Sequence, residues 1–204
     1  MYESEPTVFI VDDSEAMCRS LSMLVETVGL KAKTYSSAED FLENYDASLS
    51  GCLLLDVRMP GMSGLELQYE LLERRCSIPV IIITGHGDIQ MAVQAIKAGA
   101  VDFIEKPFRH QVLLDNIQKA IKLDTQMRSE RVLQTECQEK LALLTSRERQ
   151  VFDLLVVGKS NKEIGYKLGI SQKTVDFHRA NILEKMGVNS VVELVLLTQK
   201  LESV

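Results

Sequence analysis

The chain reads as an α/β protein: a doubly wound (βα)5 unit built on a parallel sheet, followed by a long helix and an all-α region with a helix-turn-helix. Three observations predict this. Short β-rich runs alternate with segments of helical period through the first half. The apolar runs there repeatedly end in a single polar or acidic group. From about Arg109 the sequence becomes helical and charged, with no glycine or proline until Gly158.

Five strands are predicted, at Val8 to Val11, Ala32 to Tyr35, Cys52 to Leu55, Val80 to Thr84 and Val101 to Ile104. The third and fourth are apolar at nearly every position, as expected when helices cover both faces of a parallel sheet. Helix punctuation falls between them. Ser14 caps a helix through Met17, Leu21 and Leu24 that stops at Gly29, Ser37 precedes one through Phe41 and Leu42, and Gly64 opens one through Leu67, Leu71 and Leu72. Asp88 caps a fourth through Met91, Ala92, Ala95 and Ile96, ending at Gly99. Pro60, Gly61 and Gly64 mark a sharply turning loop after Asp56.

Val112, Leu113, Ile117 and Ile121 form a stripe that completes the sheet's last helix, and Met127, Val132, Leu133 and Cys137 extend it sparsely. A helix from 109 to about 138 is the preferred reading. A polar tether is the alternative, because the heptad pattern is imperfect. Four short helices follow. Thr145 with Glu148 forms a capping box for a helix ending near Gly158, and Asn161 to Leu168 makes a second. Ser171 caps a third through Val175, Ile182 and Met186 to Gly187, and Ser190 with Glu193 caps the last. The tight Gly169-Ile170-Ser171 turn makes the middle pair a helix-turn-helix.

Composition is that of a folded globular protein, with 46% hydrophobic and 25% charged residues. The longest apolar runs, Val80 to Ile83 and Val191 to Leu197 around Glu193, fall well short of the roughly 20 residues needed to span a bilayer. Met1 to Pro6 is acidic and shows no targeting pattern, so a cytoplasmic location and no membrane partner are expected. Cys18, Cys52, Cys76 and Cys137 lack metal or disulfide spacing, and His86, His110 and His178 are equally dispersed. Free, packed thiols are the expectation. The net charge of -6 is uneven: residues 1 to 108 carry 8 Lys+Arg against 17 Asp+Glu, residues 141 to 204 carry 9 against 7. Two modules with different partners follow from that asymmetry.

The polar strand ends converge chemically. Asp12-Asp13 closes the first strand, Asp56 the third and Thr84 the fourth, while Lys106-Pro107 follows the fifth. In a parallel sheet all of them lie along one edge. Carboxylates so crowded call for a cation, and oxygen ligands suit Mg2+ (or Mn2+). Asp12, Asp13, Asp56 and the backbone carbonyl of Arg58 are the expected ligands, and Asp56 the expected phosphoryl acceptor. Lys106 would neutralise phosphoryl oxygen, Thr84 would donate to it, and Gly85 would leave it room. Taken singly, each has a plainer role: an acidic pair caps the next helix, a lysine is solvated, a threonine ends a strand. It is their coincidence at one edge that argues for a site.

On the third helix of the tail, Lys173 and Arg179 suit phosphates together with Lys185, Lys162, Lys167 and the amides at Ser171. Thr174, Asp176, Phe177 and Asn181 are candidates for base edges. Val175, Ile182 and Met186 are expected core. The plainer alternative is a solvated helix face.

The segments VDD (11 to 13), LLLDVRMPGMSGLEL (53 to 67), IIITGHGD (81 to 88) and DFIEKPF (102 to 108) resemble the flavodoxin-like receiver domain of two-component response regulators. That resemblance implies phosphorylation of Asp56 by a sensor histidine kinase, a cis Lys106-Pro107 bond, and a switch formed by Thr84 and Phe103. Phe103 stands where a tyrosine is frequent, so a step using a phenolic hydroxyl is absent. Arg58 and His86 flank the site and would tune phosphate lifetime. The stretch 144 to 188 resembles the LuxR-type DNA-binding domain, and the pair together resembles the NarL/FixJ family, with TGHGD and DFIEKPF nearer its FixJ branch. Asp176 departs from the basic or longer acidic residue of many relatives.

The resemblance implies a receiver at 1–122, a helical linker at 123–140 and a DNA-binding domain at 141–204. It also implies double-stranded DNA and RNA polymerase as partners, a homodimer on phosphorylation, and no enzymatic activity beyond self-catalysed phosphorylation of Asp56 and slow autodephosphorylation. Two rival classes remain. An aspartyl-phosphate phosphatase would need an acidic residue two positions after Asp56, where Arg58 stands. A protein-binding adaptor is compatible with the modest positive charge of the tail.

Overall fold

The computed structural model describes residues 5–85 and 89–202. The chain divides into two compact units, Met1–Arg128 and Ser129–Val204.

In the first unit five strands form one parallel sheet: β1 (Thr7–Val11), β2 (Lys31–Tyr35), β3 (Gly51–Asp56), β4 (Val80–Thr84) and β5 (Asp102–Glu105), in the order β2-β1-β3-β4-β5. Register is continuous across the middle of the sheet, with Val8 opposite Cys52 and Leu54 opposite Ile81. Every residue of β1, β3 and β4 is buried, whereas edge strand β2 exposes Lys31, Lys33 and Thr34. That difference explains why central strands read as unbroken apolar runs. The order places a topological switch point between β1 and β3, where chain connections leave in opposite directions and open a crevice at the strands' C-terminal ends.

Helices α1 (Glu15–Glu26), α2 (Ala38–Asn44), α3 (Gly64–Glu73) and α4 (Ile89–Lys97) alternate with the strands, and α5 (His110–Ala142) follows β5. One face of the sheet is closed by a core containing Phe9, Leu53, Leu55, Ile82, Phe41, Leu67 and Ala95. The other is closed by Val8, Ile10, Leu54, Ile83, Leu21, Val25, Leu113, Ile117 and Ala120. Ser14 and Ser37 cap α1 and α2 as the sequence indicates. At α3 the cap is Ser63, in a reciprocal capping box with Glu66. Gly64 is required for a different reason: a Cβ there would lie 2.1 Å from the carbonyl oxygen of Asp56. Leu72 and Ile96, read as apolar helix positions, are half exposed. The expected cap Asp88 lies outside the described residues, as does His86.

Helix α5 is continuous over 33 residues, so the segment after Ile121 is helical, not a tether. Val132 and Leu133 are about half exposed, and Cys137 is the member of that sparse stripe that reaches a core.

The second unit holds α6 (Ser146–Val156), α7 (Asn161–Leu168), α8 (Gln172–Met186) and α9 (Val191–Glu202). The Thr145–Glu148 capping box is present, and Ser171 caps α8. Gly169 ends α7 in the left-handed region at φ 65°, which glycine adopts without strain. Ser190 accepts from the Glu193 amide, but the Glu193 carboxylate returns to the amide of Asn189 rather than Ser190. Val151, Ile164, Val175, Ile182, Met186 and Leu194 form the core, as expected for Val175, Ile182 and Met186. All four cysteines are free, with Cys18, Cys52 and Cys137 buried.

Candidate functional site

The crevice beside the switch point collects the polar strand ends. Asp12 follows β1 and Asp56 ends β3, and both are buried, at 4% and 8% exposure. Lys106, just past β5, places its ammonium between them, 2.8 Å from Asp12 Oδ2 and 2.8 Å from Asp56 Oδ1. The remaining carboxylate oxygens take backbone donors: Ser14 N–H to Asp12 Oδ1 at 2.9 Å, and Arg58 N–H to Asp56 Oδ2 at 2.8 Å. The Lys106 amide donates to the carbonyl of buried Thr84 at 2.8 Å, extending the β4–β5 pairing and anchoring the lysine backbone. The Lys106–Pro107 peptide is cis. Burial by itself would lower the Lys106 pKa, but hydrogen bonds and charge from Asp12 and Asp56 outweigh it and hold it above the ordinary lysine value.

The pocket differs from expectation in one respect. Among the described residues no three acidic, histidine or cysteine side chains converge on a common point. Two carboxylates are joined through Lys106, and Asp13 stays exposed beside them. The physical reason is that the ammonium already lies between the two buried charges and offsets one of them. A negative surplus remains, and Asp13 adds to it. An all-oxygen donor set with that surplus fits Mg2+ or Mn2+.

Around this centre, Gly85 follows Thr84 with open space where a Cβ would sit. Phe103 is half-buried against the core of the sheet. The loop after Asp56 is tied down by a contact absent from the sequence reading: the Glu39 carboxylate on α2 accepts from the Met62 amide at 3.0 Å. The Ser63–Glu66 box was legible as a Ser-x-x-Glu motif, whereas the partner of Glu39, 23 positions away, left no local signal.

In the second unit, the Ser171 end of α8 is exposed, as are Lys162, Lys167 and Lys173; Phe177 faces outward at 62% exposure, and Thr174, Arg179 and Asn181 are half-buried. Four candidates have intramolecular side-chain partners, the Ser171 and Thr174 hydroxyls bonding each other at 2.8 Å. Lys185 donates to Glu148 Oε2 at 2.7 Å and to the Leu143 carbonyl at 3.1 Å, and Asp176 accepts from the side-chain amide of Asn161. That Lys185 hydrogen bond, with the Thr145 amide, pulls the Glu148 pKa down to about 2. Lys185 is thus held by buried Glu148, unlike exposed Lys162, Lys167 and Lys173.

The model for the response regulator receiver domain matches residues 8–118, and that for bacterial regulatory proteins of the luxR family matches residues 142–198. The chain belongs to the NarL/FixJ-type two-component response regulators. This response regulator is 46% identical over 202 residues to the response regulator protein TodT of Pseudomonas putida, covering 99% of the chain and 89% of TodT. It is 44% identical over 189 residues to the transcriptional regulatory protein FixJ of Rhizobium meliloti, covering 93% of each. Among solved structures it resembles the response regulator StyR, with a TM-score of 0.85 and 44% identity over 97% of this chain and all of that one. Full-length FixJ from B. japonicum gives a TM-score of 0.59 at 36% identity over 98% of this chain and 99% of that one.

A receiver joined to a LuxR-type DNA-binding domain is a phosphorylation-regulated transcription regulator, with a histidine kinase and DNA as its partners. Receiver domains use Mg2+ for phosphorylation. No described helix of this response regulator is long and apolar enough to cross a membrane.

Proposed function

We propose that Asp56 accepts a phosphoryl group from the phosphohistidine of a sensor kinase, and that this event shifts dimerisation and DNA binding. The observation that carries the reading is the Lys106 bridge between buried Asp12 and Asp56 at the sheet's switch point. A carboxylate oxygen of Asp56 forms the new P–O bond as the P–N bond to the kinase imidazole breaks, and the electron pair leaves with the imidazole. The Lys106 ammonium then turns from Asp56 to the phosphoryl oxygens, and the Thr84 hydroxyl donates to one of them.

Asp12, Asp13, Asp56 and the Arg58 carbonyl would hold Mg2+ or Mn2+. The ion supplies charge neutralisation for the incoming phosphoryl group. Gly85 leaves space beside Thr84, and Phe103 turns inward as Thr84 moves. The protein promotes its own phosphorylation and slowly loses the phosphate. It has no other enzymatic step.

The receiver function occupies 1–122, the linker 123–140 and the DNA-binding function 141–204. In the last, Lys162, Lys167, Lys173, Arg179 and the amides at Ser171 contact phosphates, while Thr174, Asp176, Phe177 and Asn181 reach base edges. Two linked copies raise the effective concentration of the second reader once the first is bound. The dimer acts at promoters in the cytoplasm, alongside RNA polymerase.

Incubation with acetyl phosphate and Mg2+ should label Asp56 stoichiometrically, and Asp56→Asn should abolish labelling with the fold intact. Persistent stoichiometric labelling of Asp56→Asn at pH 7 would remove the site assignment.

A further inference from the structure

Residues 119–141 lie between the two family matches, and the structure places there an ion pair between buried Asp124 and partly exposed Arg128. The apolar stripe of α5 ends with buried Leu113, Ile117 and Ala120 and half-buried Ile121. Between Lys122 and Glu136 the one buried side chain is Asp124, at 1% exposure. Its Oδ2 accepts from the amide of Gly51, the first residue of β3, at 2.8 Å and from Arg128 Nε at 2.8 Å. The same guanidinium donates to three successive carbonyls of the loop before β3: Ala47 at 3.1 Å, Ser48 at 3.2 Å, and Leu49. That loop is itself shaped by Asp46, whose carboxylate accepts from the Ser48 amide at 2.8 Å.

A guanidinium presents its donors in a rigid planar fork, so Arg128 can satisfy a carboxylate and a row of carbonyls together; a lysine point charge cannot. All of these partners belong to the first unit. Beyond them, residues 129–136 are exposed except for half-buried Gln134, and no buried apolar side chain supports the helix there. Isolated helical segments of that length are marginal in water, so this stretch depends on its two held ends, the clasp on one side and Cys137 with Leu141 on the other.

We propose that the Asp124–Arg128 clasp is a latch that keeps the linker helical, and that it couples phosphorylation of Asp56 to DNA binding. The coupling part rests on the function proposed above; the helical part does not. With the latch closed, α5 leaves the receiver as a formed helix and a shift in the receiver is passed on by a stiff element. With it open, residues 122–136 fray into a tether and the two units respond independently.

The test is amide hydrogen exchange on the full-length protein, wild type against Arg128→Ala and Arg128→Lys, with Asp56 labelling and DNA affinity measured on the same samples. In both variants exchange of amides 122–136 should quicken by about tenfold or more, while Thr7–Val11 and α8 keep their protection. Asp56 labelling should be unchanged, and the gain in DNA affinity on phosphorylation should shrink. If Arg128→Ala unfolds the whole first unit, Arg128→Lys decides. Exchange of 122–136 within about twofold of wild type overturns the latch. A frayed linker with an undiminished phosphorylation response overturns its coupling role. If phosphorylation leaves wild-type DNA affinity unchanged, the function reading fails instead, and the exchange data still judge the latch.

Discussion

The crevice of the first unit and the reading face of α8 are both polar clusters, yet they are built on opposite terms. In the crevice, Asp12 and Asp56 are buried, and every carboxylate oxygen has a partner within 3 Å. Removing any one partner leaves an uncompensated buried charge. On α8, Lys173, Asp176 and Phe177 are exposed, although Asp176 accepts from Asn161 and Phe177 meets the His178 ring. The folded chain dictates the first cluster, while an outside ligand must give meaning to the second. Substitutions in the crevice should therefore act through fold and chemistry together, and those on the exposed face of α8, away from the Lys185–Glu148 pair, chiefly through binding.

The largest effect that sharpens this contrast is at Gly64. A methyl group there collides with the Asp56 carbonyl, so Gly64→Ala should destabilise the first unit by about 3 kcal/mol and slow Asp56 labelling. Chemical denaturation and phosphodonor labelling check both, and a loss below about 0.5 kcal/mol would mean that the close approach relaxes freely.

Next is a matched pair of basic residues in the second unit. Arg179→Ala should weaken DNA binding roughly tenfold and lower the salt slope by about one, with little change in stability. Lys185→Ala should do the reverse, destabilising the unit by uncovering Glu148 while leaving the salt slope intact. Equal salt slopes for the two variants would erase the distinction.

The smallest effect is a pH response. Because the folded-state pKa of Glu148 is depressed, its contribution is present above the unfolded value of about 4.3 and is lost as pH falls toward about 2. Thermal melts of the second unit should lose stability across that window, less so in Lys185→Ala. An identical acid response in the two proteins would separate Glu148 from the effect.

The same contrast governs what the amino-acid sequence reveals. Buried central strands announce themselves, because β1, β3 and β4 are apolar on both faces, and the polar groups at their C-terminal ends stand out against that background. Caps such as Ser14, Ser37, Thr145 and Ser171 are local and equally legible. Non-local polar contacts are not. The partners of Lys185, Arg128 and Glu39 lie 37, 79 to 81 and 23 positions away, and no periodicity points to them. The linker reads less clearly for the same reason: its apolar stripe thins after Ile121, with Val132 and Leu133 half exposed, and a clasp of charge and backbone carbonyls holds the helix there. In sequence a basic residue on a reading helix looks the same whether or not a buried glutamate holds it, so the pairing of Lys185 with Glu148 leaves no signal.

The central claim is that chemistry in the buried crevice changes what the exposed helix can bind. Its most direct test is the affinity of the full-length protein for DNA selected from a random pool, measured with and without acetyl phosphate and Mg2+. Phosphorylation should raise that affinity by about 5- to 150-fold in the wild type and leave Asp56→Asn unmoved. Equal affinities in the labelled and unlabelled wild-type protein would contradict the account.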